Sequence, residues 1–136
     1  MMTDAVKKKM AIVLREFFGS TNGTTKLGTG GGGTSSNATD LDVPLLTTAT
    51  NTSSSSDDKV VEIKSSFTGS SLQGNTIREM GIFGNLPTDA ELALIDNSSY
   101  NFSPLEQVML ARINFAAIGN FSTSDTIEVI YTMEVE

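Results

Sequence analysis

The chain has 136 residues, with 9 Lys or Arg against 16 Asp or Glu, no histidine, no cysteine and a formal net charge of −7. That acidic balance argues against nucleic acid or an anionic membrane as a partner, because such binding draws its affinity from Lys and Arg neutralising phosphates. Lacking cysteine and histidine, the chain has no disulfide, thiolate nucleophile, sulfur metal site or imidazole base, and we expect a non-enzymatic protein that takes no cofactor.

The length suits one domain around one core, covering 1–136, with a helix over 1–18, a Gly/Ser/Thr-rich extended region over 19–58 and core strands over 59–136. In the first segment Val6, Met10, Val13, Leu14 and Phe17 recur at three- and four-residue steps, the spacing of one helical face. Thr3 is placed to cap that helix, Asp4 to favour its positive end and Gly19 to stop it. Lys7, Lys8 and Lys9 fan around its outer side as solvated charge. Arg15 and Glu16 cut the apolar run Met10–Leu14 below the length of a signal-peptide core, so the segment reads as mature protein. No apolar run approaches the about 20 residues that cross a bilayer as a helix.

Between Gly19 and Asp58 the chain is dominated by Ser, Thr, Asn and Gly, including Gly28-Thr29-Gly30-Gly31-Gly32-Gly33. Such a run is either flexible or packed close to other backbone. Thr34 follows Gly33 where a phosphate loop would place its lysine, so that chemistry is not encoded here. Leu41, Val43, Leu45 and Leu46 with Pro44 form a short extended segment suited to a sheet edge, where a missing N–H is not needed.

From Lys59 to Phe67 the sequence alternates, with Val61, Ile63 and Phe67 on one side and Glu62 and Lys64 on the other, the pattern of a half-buried strand. Asn75–Phe83 is also strand-like, but each face mixes apolar and charged residues. Gly84 to Gln107 breaks the rhythm, with Thr88-Asp89-Ala90-Glu91 as a capping box opening a turn or two of helix. Strand patterning returns over Val108–Phe115 and over Thr126–Glu136, where Ile127, Val129, Tyr131, Met133 and Val135 face in. At least four strands, long turns and one terminal helix give a mainly β fold: an antiparallel, jelly-roll-like β-sandwich with an N-terminal amphipathic helix.

Glu79 and Arg112 are opposite charges inside otherwise apolar strands. A buried carboxylate is costly unless partnered, so we expect Glu79 to be held by Arg112, by Arg78 or by loop N–H groups, with Glu79→Gln weakening the fold. Glu128, Glu134 and Glu136 share a strand face, and Asp40, Asp42, Asp57 and Asp58 sit in loops. No Asp-x-Asp-x-Asp-Gly loop organises them for calcium, and they read as solvated charge. Tyr100, Phe102 and Phe121 fall in or beside loops, where rings stack on sugars or bury at a subunit contact. The candidate interface residues are therefore Val6, Met10, Val13, Phe17, Tyr100, Phe102 and Phe121.

Five pieces together resemble a known group: Thr3-Asp4-Ala5-Val6-Lys7; Leu27-Gly28-Thr29-Gly30 with Thr34, Asp40 and Leu41; Gly74-Asn75-Thr76-Ile77-Arg78-Glu79-Met80-Gly81-Ile82-Phe83; Leu110-Ala111-Arg112-Ile113-Asn114-Phe115; and the closing alternating strand. The chain is similar to small virion proteins of tailed bacteriophages, in particular the N-terminal region of tail-collar and tail-fibre proteins. The resemblance implies a structural protein of the particle that works by protein–protein assembly with other virion proteins, as a homo-oligomer with a trimer favoured. With no shaft sequence after Glu136, it implies a tail, collar or fibre-attachment piece. A capsid decoration or head-fibre protein is the alternative within that group. A small carbohydrate-binding module for host-surface glycans, using Tyr100, Phe102 and Phe121, is the alternative outside it.

Overall fold

The computed structural model describes residues 1–19, 22–33, 35, 37–54, 59–93 and 105–136. In chain order the elements are α1 (Asp4–Phe18), β1 (Gly23–Gly28), β2 (Pro44–Thr50), β3 (Thr52–Ser54), β4 (Val60–Thr68), α2 (Gly69–Leu72), β5 (Ile77–Pro87), α3 (Asp89–Leu92), β6 (Leu105–Ile118) and β7 (Thr126–Glu134). Among the described residues these strands form two antiparallel sheets, one in the order β2-β1-β5-β6 and one in the order β3-β4-β7. The fold is mainly β with one N-terminal helix of any length. Val61, Ile63 and Phe67 of the smaller sheet join Leu27, Met80 and Ile82 of the larger one, with Ala11 and Phe18 of α1, in a single apolar cluster.

Helix α1 starts and stops where its sequence dictates. The Thr3 hydroxyl oxygen accepts from the Val6 N–H at 3.4 Å, and the Gly19 N–H donates to the Arg15 carbonyl at 2.9 Å. Its buried side takes in only part of the periodic apolar stripe. Ala11 and Phe18 are buried and Leu14 and Phe17 are half-buried, whereas Val6, Met10 and Val13 stay exposed. Alanine at the contact lets the helix approach the sheet closely, and its last turn is fixed by backbone. A Cβ on Gly23 or Gly84, cross-strand partners in β1 and β5, would lie 2.0 Å from the Phe18 carbonyl oxygen or 2.1 Å from that of Phe17. Asn51 completes this seat: its Nδ2 donates to the Phe18 carbonyl at 2.7 Å, and its Oδ1 accepts from the Thr25 hydroxyl at 2.6 Å. At 1% exposure Asn51 has little water to replace these partners. Asn51→Ala is expected to cost about 2–4 kcal/mol, read as a lower urea midpoint with an unchanged slope.

The mixed faces of β5 come from its being covered on both sides. Met80 and Ile82 point into the shared core, while Phe83 and Leu41 are buried outside that cluster, with Phe83 and Leu41 carbons 2.7 and 3.0 Å from a Cβ built on Gly81. The register slips between Ile77 and Glu79, which returns Ile77 to the core. The cover on the Phe83 side is the segment between β1 and β2. Lys26 spans the two, its Nζ lying 4.3 Å from the Phe83 ring centroid and 3.3 Å from Asp40 Oδ1.

Two boundaries differ from the sequence reading. The extended region contains three strands, β1, β2 and β3, of which β1 lies inside the larger sheet between β2 and β5. Its Gly-Thr-Thr-Lys-Leu-Gly composition hides this, because its glycines serve close approach to the helix end and to Glu79. The interval expected to break strand rhythm is shorter than expected: β5 runs on to Pro87 and β6 begins at Leu105, so Leu105–Gln107 are strand residues paired with Asn85–Pro87. The capping box is formed, the Thr88 hydroxyl oxygen accepting from the Glu91 N–H at 3.4 Å.

Candidate assembly interface

Among the described residues β6 and β7 are both outer strands. β5 pairs with β6 and β4 with β7, and the connection from Ile118 to Thr126 passes from the larger sheet to the smaller one. Asn120 turns this connection at φ 61°, a value that asparagine tolerates better than most residues. A turn follows, in which the Asp125 carboxylate accepts from the Ser122 N–H at 2.7 Å and the Asp125 carbonyl from the Gly69 N–H at 2.7 Å.

Where the two outer strands part, a cleft of about 570 Å³ opens. Phe115 to Ile118 of β6 and Ile127 to Ile130 of β7 form its sides, Leu27, Ile77 and Met80 its floor, and Phe121 one end. The lining is apolar apart from Glu128 and holds no basic residue. Apolar residues that a completed sheet would cover are exposed along both edges. Ile118 is 53% and Ile130 54% exposed, with Leu105, Val108 and Ile113 exposed on β6 as well. At 14 residues β6 is a long edge, with no second strand neighbour among the described residues. An edge of this length that is open among the described residues is a template for pairing with other chains, and proteins that stay apart normally blunt such edges with charge, proline or a covering loop.

The charged residues expected to pair do not meet. Glu79 is 0% exposed, and its Oε1 accepts from the Val43 N–H at 3.1 Å, the loop N–H among the expected alternatives. Arg112 is bound elsewhere: its Nη1 donates to Asp42 Oδ1 at 3.2 Å and to the Asp40 carbonyl at 3.4 Å. The register makes Glu79 and Arg112 diagonal neighbours on one face, Arg112 standing opposite Gly81 and Glu79 opposite Asn114, and each is taken up by the covering segment instead: Arg112 by Asp42 and the Asp40 carbonyl, Glu79 by the Val43 N–H.

Both charges hold down the same glycine-rich segment. A Cβ on Gly28 or Gly30 would lie 2.5 or 2.8 Å from a Glu79 carboxylate oxygen, and one on Gly33 would lie 2.7 Å from the Arg112 guanidinium. Asn114 adds a bond from its Nδ2 to the Gly33 carbonyl at 2.8 Å, and Asp42 Oδ2 accepts from the Gly33 N–H at 3.1 Å. These glycines allow the segment to lie directly on two charged side chains, which makes the cluster architectural. Among the described residues no three Asp or Glu gather to hold a metal ion.

Of the expected interface residues, Val6, Met10 and Val13 lie exposed on α1, Phe17 is half-buried, and Phe121 lines the cleft while packing against the core. Tyr100 and Phe102 lie outside the described residues, as do Asp57 and Asp58. Sequence reasoning missed Ile118 and Ile130. Its available signal was apolar residues on both faces of β6 and the apolar Ile130 among the outward positions of β7. No protein-family model matches the chain, and no curated protein is significantly similar to it.

Proposed function

We propose that this protein is a structural component of a tailed-virus particle, a tail, collar or fibre-attachment piece that works by assembling with copies of itself and with other virion proteins. The β6 edge, open among the described residues, and the apolar cleft beside it carry this reading, because a chain that works alone gains nothing by leaving such surface in water. The resemblance of Ile77–Phe83 and Leu110–Phe115 to tail-collar and tail-fibre proteins supplies the setting. In this reading the two sheets are the layers of a jelly-roll-like β-sandwich whose open side is closed by a neighbour, and a trimer is the expected closed form.

The test is hydrodynamic and positional. Sedimentation velocity of the purified chain is expected to give a closed oligomer that dissociates on dilution, and labelled antibody is expected to mark the tail or collar of intact particles. A protein that remains monomeric at its highest soluble concentration and labels no particle would remove the proposal. Label on the head instead would move it to capsid decoration.

A further inference from the structure

We propose that the cleft between β6 and β7 of one copy receives helix α1 of another, joining copies head to tail. This contact rests on the assembly reading above and names the surfaces that would carry it. Its first support is the outward face of α1. Val6, Met10, Ile12 and Val13 are between 42% and 51% exposed, although each has an apolar side chain and the helix is already docked through Ala11 and Phe18. Val6, Met10 and Val13 fall on one stripe of the helix, and their span of about 10 Å at 1.5 Å per residue matches the about 13 Å of the four-residue strand stretches flanking the cleft.

Charge decides between partners. Four of the nine basic residues and two of the sixteen acidic ones lie in residues 1–18, leaving that segment at +2 and the remainder of the chain at −9. The cleft belongs to the acidic part: Glu128 lines it, and Asp125 binds the Ser122 N–H beside Phe121 at its end. A two-fold contact of helix on helix or cleft on cleft would oppose like charges, whereas helix on cleft sets Lys9 and its neighbours against Glu128. A contact between two different surfaces of one chain propagates until its rotation closes, which gives a ring.

The absence of cysteine makes the test direct. Met10→Cys and Ile118→Cys each place one thiol on an exposed side chain, leaving the core intact. When the two variants are mixed and oxidised, the mixed disulfide is expected to exceed either homodimer severalfold. Lys9→Glu is expected to weaken association roughly fivefold at low salt, and adding Glu128→Lys to restore it. An oligomer in which the Ile118→Cys homodimer dominates, or on which Lys9→Glu has no effect, overturns the helix-in-cleft contact in favour of β6 pairing between copies and leaves the assembly reading standing. A monomer at every concentration overturns the contact too, and labelling of particles then decides separately whether assembly occurs with other virion proteins.

Discussion

Gly84→Ala is expected to lower stability by about 3 kcal/mol and the melting temperature by about 10 °C. The added carbon would stand 2.1 Å from the Phe17 carbonyl oxygen and 2.7 Å from Phe18 Cδ1. Neither can yield cheaply. The carbonyl belongs to the last turn of α1, which is held from the next residue by the bond from Asn51, and the Phe18 ring is buried in the core. The helix must therefore lift from β5 or the strand must bow, and either movement opens the packing around Ala11 and Phe18. Gly23, across the ladder from Gly84, presents the same obstacle to a side chain, so Gly23→Ala is expected to behave alike. Gly119→Ala is the control: its nearest neighbour is 3.5 Å away, an ordinary contact, and its effect should stay within about 0.5 kcal/mol. Thermal melts of the three variants test this, and Gly84→Ala melting alongside the control would mean that the helix end does not sit on the strand pair.

The features readable from the sequence are those set by local physics. Thr3, Asp4 and Gly19 bound α1, because caps and end charges act within one turn. Val61, Ile63 and Phe67 mark the inner face of β4, because one side of that strand meets the core and the other water. Pro44 was readable as edge-forming for the same kind of reason, and it opens β2 at the outside of its sheet. What could not be read depends on contacts distant in sequence. β1 has too few large apolar residues to announce a central strand, and only the placement of α1 and Glu79 explains its terminal glycines. The helix stripe was periodic, yet only its Leu14 and Phe17 pack on the core, beside the buried Ala11 and Phe18, whose fit depends on the sheet beneath them. The Glu79 partner turned on the segment between β1 and β2, which alternation along one strand does not encode: that segment brings the Val43 N–H to Glu79 and Asp42 to Arg112, although the two charges are same-face diagonal neighbours.

Replacing Glu79 distinguishes two ways of holding a buried charge, and the two replacements give different answers. Were Glu79 paired with Arg112, Glu79→Gln would strand a buried guanidinium at a cost of about 3–5 kcal/mol. In the observed geometry Arg112 keeps Asp42 and the Asp40 carbonyl, and glutamine still offers an oxygen to the Val43 N–H. The charge-strengthened part of one hydrogen bond is lost, but the substitution also removes charge from Oε2, which is buried with no hydrogen-bond partner among the described residues, so Glu79→Gln is expected to cost at most about 1 kcal/mol. Glu79→Ala removes the acceptor altogether and empties the space beneath Gly28 and Gly30, which lie on the carboxylate. With the Val43 N–H unpartnered and a cavity under the covering segment, about 3–4 kcal/mol is expected. The covering segment should loosen with it, because Val43, Gly28 and Gly30 share this one support, and faster amide exchange at Val43 than in the parent would report that directly. Glutamine costing as much as alanine would restore the ion-pair account; glutamine mild and alanine severe would leave Glu79 as the post on which the glycine-rich segment rests.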